Sequence, residues 1–268
     1  MLRMKLCSIA SGSSGNCIFV GNDTTKLLVD VGISGKKIEN GLKELGVSPE
    51  EIDAILITHE HIDHIKGLGV MARRYHLPIY TTQLTQEAIL NTSSVGKLEE
   101  DLFHRIEPDE PFFIGNIKVV PVSTWHDAAD PVCYTFYYQE VKVSIATDLG
   151  DFDDYLVGQL KDSDMLFIEA NHDVNMLEVG PYPYSLKRRI LGSRGHLSNE
   201  RAGQLISKLN GKRLHSVLIG HLSKENNYEA LAYETVKQEL NKEPSVLKQL
   251  QLFVAKRDGL SQICTVSK

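Results

Sequence analysis

Ala54-Ile55-Leu56-Ile57-Thr58-His59-Glu60-His61-Ile62-Asp63-His64 decides how the rest of this sequence is read. The run Ala54–Thr58 is short, apolar and β-branched, which predicts a buried strand. His59, His61, Asp63 and His64 follow within six positions, starting where the apolar run stops. Three imidazoles and a carboxylate at a strand end form a metal-ligand pattern. A nitrogen-rich set of this kind suits zinc best, with manganese or iron as further choices. His59 and His61, two apart after a strand, can point two rings the same way. Asp63 and His64 can turn toward a second centre. On spacing alone the cluster fits one ion or two.

Working outward, three more residues share the same placement. His126 follows the apolar stretch Ile117–Val122, Asp148 follows Val141–Ala146, and His221 follows Ser216–Ile219. If those strand ends converge, one rim collects all seven groups. His76, His104 and His215 have no such context and read as ordinary polar residues.

The flanking pattern predicts strands at Lys5–Ala10, Asn16–Val20, Lys26–Val31 and Pro78–Thr82, and helices at Gly35–Leu45, Asp63–Tyr75 and Gln83–Leu90. From Phe103 to Ile145 short strands dominate. A helix is expected at Asp154–Leu160 and a strand at Met165–Glu169. The segment 171–193 reads as a loop with a short helix near Leu186–Leu191. Two units ending in helices (Gly195–Leu209 and Ser216–Glu239) follow, then strands at Leu250–Val254 and Ile263–Val266. There is no regular βα alternation and no composition shift, so mixed sheets covered by helices in one domain, residues 1–268, are expected.

Composition narrows the classes. Apolar residues make up 42% of the 268, charged residues 24%, and the net charge is −6. That balance argues against a protein that coats nucleic acid through basic residues. It leaves a nuclease open, since bound divalent ions add local positive charge. The sequence has no apolar run long enough to cross a membrane. Met1–Leu6 lacks the pattern of a secretory signal, and Cys7, Cys17, Cys133 and Cys264 show no CxxC pairing. A cytoplasmic protein with reduced thiols is expected.

His59-x-His61-x-Asp63-His64, with His126, Asp148 and His221, resembles the metallo-β-lactamase superfamily of binuclear hydrolases. The likeness runs from Leu27-Leu28-Val29-Asp30-Val31-Gly32 to His221. It implies an αββα sandwich of two mixed sheets with helices outside. It also implies two divalent metal ions, zinc or manganese: one on His59, His61 and His126, the other on Asp63, His64 and His221, with Asp148 between them. A bridging water is then the nucleophile, and Asp30 props the His59–His64 loop. Asp63 directly before His64 departs from the cysteine-containing pattern of true β-lactamases.

Glu169 and His196, in Phe167-Ile168-Glu169-Ala170-Asn171 and Gly195-His196-Leu197-Ser198, resemble the acid pair of tRNA 3′-processing endonucleases in this superfamily. There such a pair protonates the leaving group. The long arm that grips tRNA in those enzymes has no counterpart here. Ser11–Asn16, Glu169–Asp173 and Gly220–Asn227 resemble the YycJ/WalJ group of bacterial metallo-hydrolases. That likeness implies an exonuclease acting on DNA from 5′ ends, in repair. In a nuclease of this kind Asp63, a metal ligand, is expected to orient the water as well, and His196, assisted by Glu169, to protonate the leaving oxygen.

Ser13, Asn16, His172 and Arg194 are candidates for contacts to substrate. Lys187, Arg188 and Arg189 with Tyr182 and Tyr184 form a further basic and aromatic patch. Two other readings stay open: a small thioester or cyclic phosphodiester as substrate, or a regulatory protein holding metal without catalysis.

Overall fold

Along Lys26–Val29, Leu27 and Val29 point to one core and Leu28 to another, and both faces of the strand are buried. The same two-sided burial recurs in Met165–Glu169, where Met165 and Phe167 face inward and Leu166 and Ile168 outward. Strands with two dry faces require a layer of structure on each side. That requirement gives the four layers.

The computed structural model describes residues 3–209, 213–242 and 250–267. The first sheet contains β1 (Arg3–Ala10), β2 (Cys17–Gly21), β3 (Lys26–Val29), β4 (Ala54–Leu56), β5 (Ile79–Thr81) and β6 (Phe103–Arg105). The second contains β7 (Phe112–Ile114), β8 (Ile117–Ser123), β9 (Val132–Tyr138), β10 (Val141–Ala146), β11 (Met165–Glu169), β12 (Ser216–Gly220) and β13 (Gln251–Val254). β14 (Cys264–Ser267) returns to the first sheet and pairs antiparallel with β1. The order across the first sheet is β14-β1-β2-β3-β4-β5-β6 and across the second β13-β12-β11-β10-β9-β8-β7. Both sheets are mixed, and the arrangement is the expected αββα sandwich.

The central core is inter-sheet, with Leu6, Ile18, Leu27 and Leu56 facing Tyr134, Phe136, Ile145, Phe167 and Leu218. Outside the first sheet lie α1 (Gly35–Glu44), α2 (Ile62–Ile65), α3 (Leu68–Tyr75) and α4 (Gln83–Leu90). On the second sheet's side are α5 (Asp154–Leu160), α6 (Val174–Val179), α7 (Tyr184–Leu191), α8 (Asn199–Leu209) and α9 (Glu229–Asn241).

Direction matters more than order for the site. β1, β3, β4, β5 and β6 run one way, as their pairings require. β8, β10, β11, β12 and β13 also share a direction. Their carboxyl ends therefore form one edge of each sheet. Val132 N–H donates to Thr58 O at 3.0 Å and Tyr134 Oη to Ile57 O at 2.7 Å, so these edges face each other.

Two local expectations change. The helix expected over Asp63–Tyr75 is two helices, because Gly67 N–H leaves the helical pattern to donate to Val31 O at 2.7 Å. The segment read as mostly loop holds α6, started by the Asp173 carboxylate accepting from Met176 N–H, and α7, which starts at Tyr184 just after Pro183. A side-chain cap and a proline before a first turn are both sequence signals for a helix start.

Candidate metal centre

The loop after β4 is held from beneath by one buried carboxylate. Asp30 Oδ1 accepts from Thr58 N–H at 2.9 Å. Asp30 Oδ2 accepts from Thr58 Oγ1 at 2.9 Å and lies 2.8 Å from His64 Nδ1. Thr58 Oγ1, having donated its proton, can accept from His59 Nδ1 at 3.0 Å. Asp30 thus fixes two imidazoles, one directly and one through a hydroxyl. The backbone permits this through a close approach at Gly32, where a Cβ would lie 1.6 Å from Asp63 O. Asp30, Asp148 and His221 all take left-handed backbone, with φ of 58°, 57° and 54°. Non-glycine residues there store strain, which clusters at functional sites.

The inner ring atoms converge. His59 Nε2 is 3.0 Å from His61 Nδ1, and His126 Nε2 is 3.3 Å from that same nitrogen. His64 Nε2 is 3.2 Å from Asp148 Oδ2 and 3.6 Å from Asp63 Oδ2, and His221 Nε2 is 3.5 Å from Asp63 Oδ2. Asp148 Oδ1 lies 3.7 Å from His126 Nε2, so this carboxylate stands between the two groups. Among the described residues, the sets His59/His61/His126, Asp63/His64/His221 and His59/His64/Asp148 each bring their donor atoms within 4.8 Å of one another. A fourth such set joins Asp148, Glu169, His196 and His221.

The outer nitrogens are held as well. His126 Nδ1 is 3.0 Å from Gly195 O, and His221 Nδ1 is 3.2 Å from Glu169 Oε2. Locked outer nitrogens leave the inner nitrogens facing one another, which is the arrangement of metal-ligating histidines. On the chemistry of its donors the site fits divalent metal ions.

Charge follows from crowding. Burial, with His64, His126 and His61 nearby, holds His59 well below the usual imidazole range. Burial also lowers His126. At His64 burial opposes the charge, but Asp148, Asp30 and Asp63 outweigh it and push the ring well above its ordinary value. His221 rises to about 10 against the same opposition, chiefly through Asp148. Asp148 is held well below the carboxylate range because His221 and His64 outweigh its burial. Asp63 is lowered, since His64 and His221 outweigh its own burial.

Glu169 has no exposed surface and accepts from four sides. Oε1 takes Leu149 N–H at 2.6 Å and Leu197 N–H at 3.0 Å, while Oε2 meets His196 Nδ1 at 3.1 Å and His221 Nδ1 at 3.2 Å. Burial opposes its charge, yet His196 and hydrogen bonds from both histidines bring it down to about 2. The sequence pairs Glu169 with His196 alone. Its link to His221 has no local signal, because the two residues are joined only by the parallel register of β11 and β12.

The candidate substrate contacts fall in different places. Ser13 is exposed on the turn after β1, whereas Asn16 is buried. Asn16 Oδ1 accepts from Gly12 N–H at 2.9 Å, and its amide nitrogen lies 3.2 Å from His64 Nε2 and 3.4 Å from Asp63 O. That side chain ties the glycine turn to the His59–His64 loop. His172 is buried, neither ring nitrogen has a partner among the described residues, and burial lowers it to about 4. Arg194 is exposed. Of the basic patch, Lys187 donates to Glu178 O at 2.7 Å, and Arg189 pairs with Asp127 beside His126. In the sequence Thr58 reads only as a strand end; the hydroxyl directly before His59 is its one signal. His104 lies away from the cluster, stacked on Tyr80 with ring centres 4.8 Å apart.

A family profile described as a beta-lactamase superfamily domain matches residues 25–219. The chain belongs to this superfamily. Within the superfamily it is 42% identical over 239 residues, 89% of each chain, to exodeoxyribonuclease WalJ of Streptococcus pneumoniae serotype 2 (strain D39). It is 40% identical over 232 residues, 87% of each chain, to exodeoxyribonuclease YycJ of Bacillus anthracis. Among solved structures, Zn2+-bound PqqB of Methylobacterium extorquens superposes with a TM-score of 0.72 at 16% identity, over 99% of this chain and 100% of that one; the likeness concerns the fold. Superfamily membership and the donor set together point to divalent metal binding. Among the described residues, no helix is long and apolar enough to cross a membrane.

Proposed function

We propose that this chain is a metal-dependent exodeoxyribonuclease that degrades DNA from 5′ ends, acting in DNA repair in the cytoplasm. The observation that carries the reading is a proton donor beside the ligand cluster: His196, its Nδ1 on buried Glu169, in a chain that matches named exodeoxyribonucleases over almost nine-tenths of its length. In this reading residues 1–268 act as a single hydrolase domain. His59, His61 and His126 would hold one divalent ion and Asp63, His64 and His221 a second, with Asp148 serving both sets. Zinc or manganese suits these donors. Such ions supply Lewis acidity at a phosphoryl oxygen and lower the pKa of water.

The side chains then divide the remaining work. Asp63, one of the few partly exposed members of the cluster, accepts a hydrogen bond from the attacking water and orients it. Glu169 keeps the proton of His196 on Nδ1 and stabilises the charged ring. His196, its side chain 18% exposed, then delivers its other proton to the departing alkoxide. Ser13 and Arg194, both exposed, are the candidate contacts to the strand, whereas buried His172 would act only by shaping the loop after β11. Asn16 acts by holding the turn.

The test is digestion of end-labelled single- and double-stranded DNA with manganese or zinc. His61→Ala is expected to abolish it. Degradation that persists in excess chelator sinks the proposal.

A further inference from the structure

A cavity of about 410 Å³ opens on the same edge of the sandwich as the ligand cluster. Its walls come from Ser11 at the end of β1, Leu222 and Lys224 after β12, Tyr228 and Glu229 at the start of α9, and Arg257 after β13. It shares a wall with the metal centre, since Ser11 Oγ accepts from His221 N–H at 2.6 Å.

Arg257 is the unusual group. Its Nη2 donates to Leu222 O at 2.8 Å, but its Nη1 is buried and has no partner among the described residues. The adjacent carboxylate, Asp258, pairs with Lys37 at 2.6 Å instead. Nη1 is shut in against the Gly12 turn, but Arg257 as a whole is only partly buried and lines the cavity, so a ligand there meets the rest of the guanidinium, whose planar fork matches phosphate oxygens. The guanidinium is also held in position. It lies against Gly12, whose φ is +146°, and a Cβ there would sit 2.7 Å from Nη1. The turn carrying Gly12 is closed by Gly15 N–H donating to Gly12 O at 2.9 Å. Lys224 is exposed at the mouth, and Tyr228, 56% exposed, offers a free ring. Glu229 is the one acidic residue of the lining, against two cations.

We propose that this cavity is a phosphate-binding subsite for the DNA strand whose scissile bond lies at the metal centre. Arg257 and Lys224 take the phosphate, and Tyr228 stacks on the neighbouring base. The inference rests on the nuclease reading above. The phosphate is either the 5′-terminal one or one within the backbone, and the two differ in what they require of the DNA end.

The experiment measures binding of fluorescent single-stranded oligonucleotides to metal-loaded protein carrying His196→Ala, which keeps the metal ligands and slows cleavage. Lys224→Ala and, separately, Arg257→Gln are expected to weaken binding about ten-fold. Each should also reduce the slope of log K against log salt by about one contact. Lys208→Ala, which removes the same charge from the end of α8, is expected to leave both quantities near the parent. A loss confined to 5′-phosphorylated oligonucleotides assigns the terminal phosphate, and an equal loss with 5′-hydroxyl ends assigns a backbone phosphate. Affinity and salt slope unchanged in both Lys224→Ala and a folded Arg257→Gln overturn the subsite. Parent protein that cleaves no DNA in the earlier assay overturns the nuclease reading and the subsite with it. Cleavage with unchanged variants overturns the subsite alone.

Discussion

The two sheets build their halves of the metal centre in opposite ways. The first sheet contributes one short loop, in which His59, His61, Asp63 and His64 sit within six residues over a single buried carboxylate, Asp30. The second contributes one group per strand end: His126 after β8, Asp148 after β10, Glu169 at the end of β11 and His221 after β12. The first half is local and is held from below. The second is distributed, and parallel register sets its geometry, with Glu169 opposite Gly220. A single substitution should therefore have different consequences in each half.

The largest effect is expected at Asp30. Asp30→Ala leaves Thr58 N–H, Thr58 Oγ1 and the Nδ1 of a positively charged His64 without their carboxylate acceptor, all buried. Removing one partner of a buried, hydrogen-bonded charge pair costs about 3–5 kcal/mol. Urea unfolding of the metal-free protein measures it. A loss under about 1 kcal/mol would break the contrast, since the loop would then hold its shape without its prop.

Glu169→Gln probes the distributed half. The carboxylate faces two backbone N–H groups with one oxygen and two imidazoles with the other. A glutamine must turn its NH2 toward one of those donor pairs. Because Oε2 serves both His196 and His221, two quantities should fall together. Metal affinity should drop about 10- to 100-fold, as for other residues that orient a ligand. kcat should drop roughly 100-fold or more through His196. His196→Ala should lower kcat similarly while leaving metal affinity near the parent. Identical signatures for the two variants would mean that Glu169 does not connect ligand and acid.

What the sequence conveys follows the same division. The cluster His59–His64 is legible because chemistry, strand end and spacing coincide in one window. His126, Asp148 and His221 are legible only as polar residues after apolar runs, and the family resemblance is what joins them into one rim. The strands themselves are clear wherever alternation is strong, as at Lys26–Val29, and the four layers follow from their two-sided burial. Arg257 carries no signal in its neighbourhood. Its meaning depends on Gly12, which is 245 residues away in the chain and in contact in space. Asn16 shows the converse problem: a polar residue in a glycine-rich turn reads as a ligand contact, and only its burial shows that its amide faces inward.

Metal uptake distinguishes the halves by their protons. In the metal-free protein the surrounding carboxylates hold His64 well above the ordinary imidazole pKa and His221 at about 10, so both rings favour the protonated form at pH 7. His59 and His126 are lowered and already neutral. Metals bind neutral imidazole, so these two rings should contribute about two protons to the release on uptake at pH 7, one from each half. Calorimetric titration with zinc in buffers of different ionisation enthalpy gives the number. His221→Ala should remove one of them. Release near zero in the parent would mean that the carboxylates around His64 and His221 do not hold those protons.

The smallest effect is expected at His172, which lies on the distributed side with no partner among the described residues for either ring nitrogen. Burial lowers it to about 4 from an ordinary value of 6.5. Between those values the unfolded chain binds a proton that the native state refuses, so stability is present above about pH 6.5 and is lost as the pH falls toward 4. Fully expressed, that loss is of order 3 kcal/mol, and relaxation of the loop around a charged ring would reduce it. His172→Asn removes the titrating group and should flatten stability across this window relative to the parent, measured by urea unfolding at half-unit steps. Parallel curves would place the ring in contact with water. The distributed half would then be open at the loop following Glu169, where a dry, unpartnered imidazole now marks its boundary.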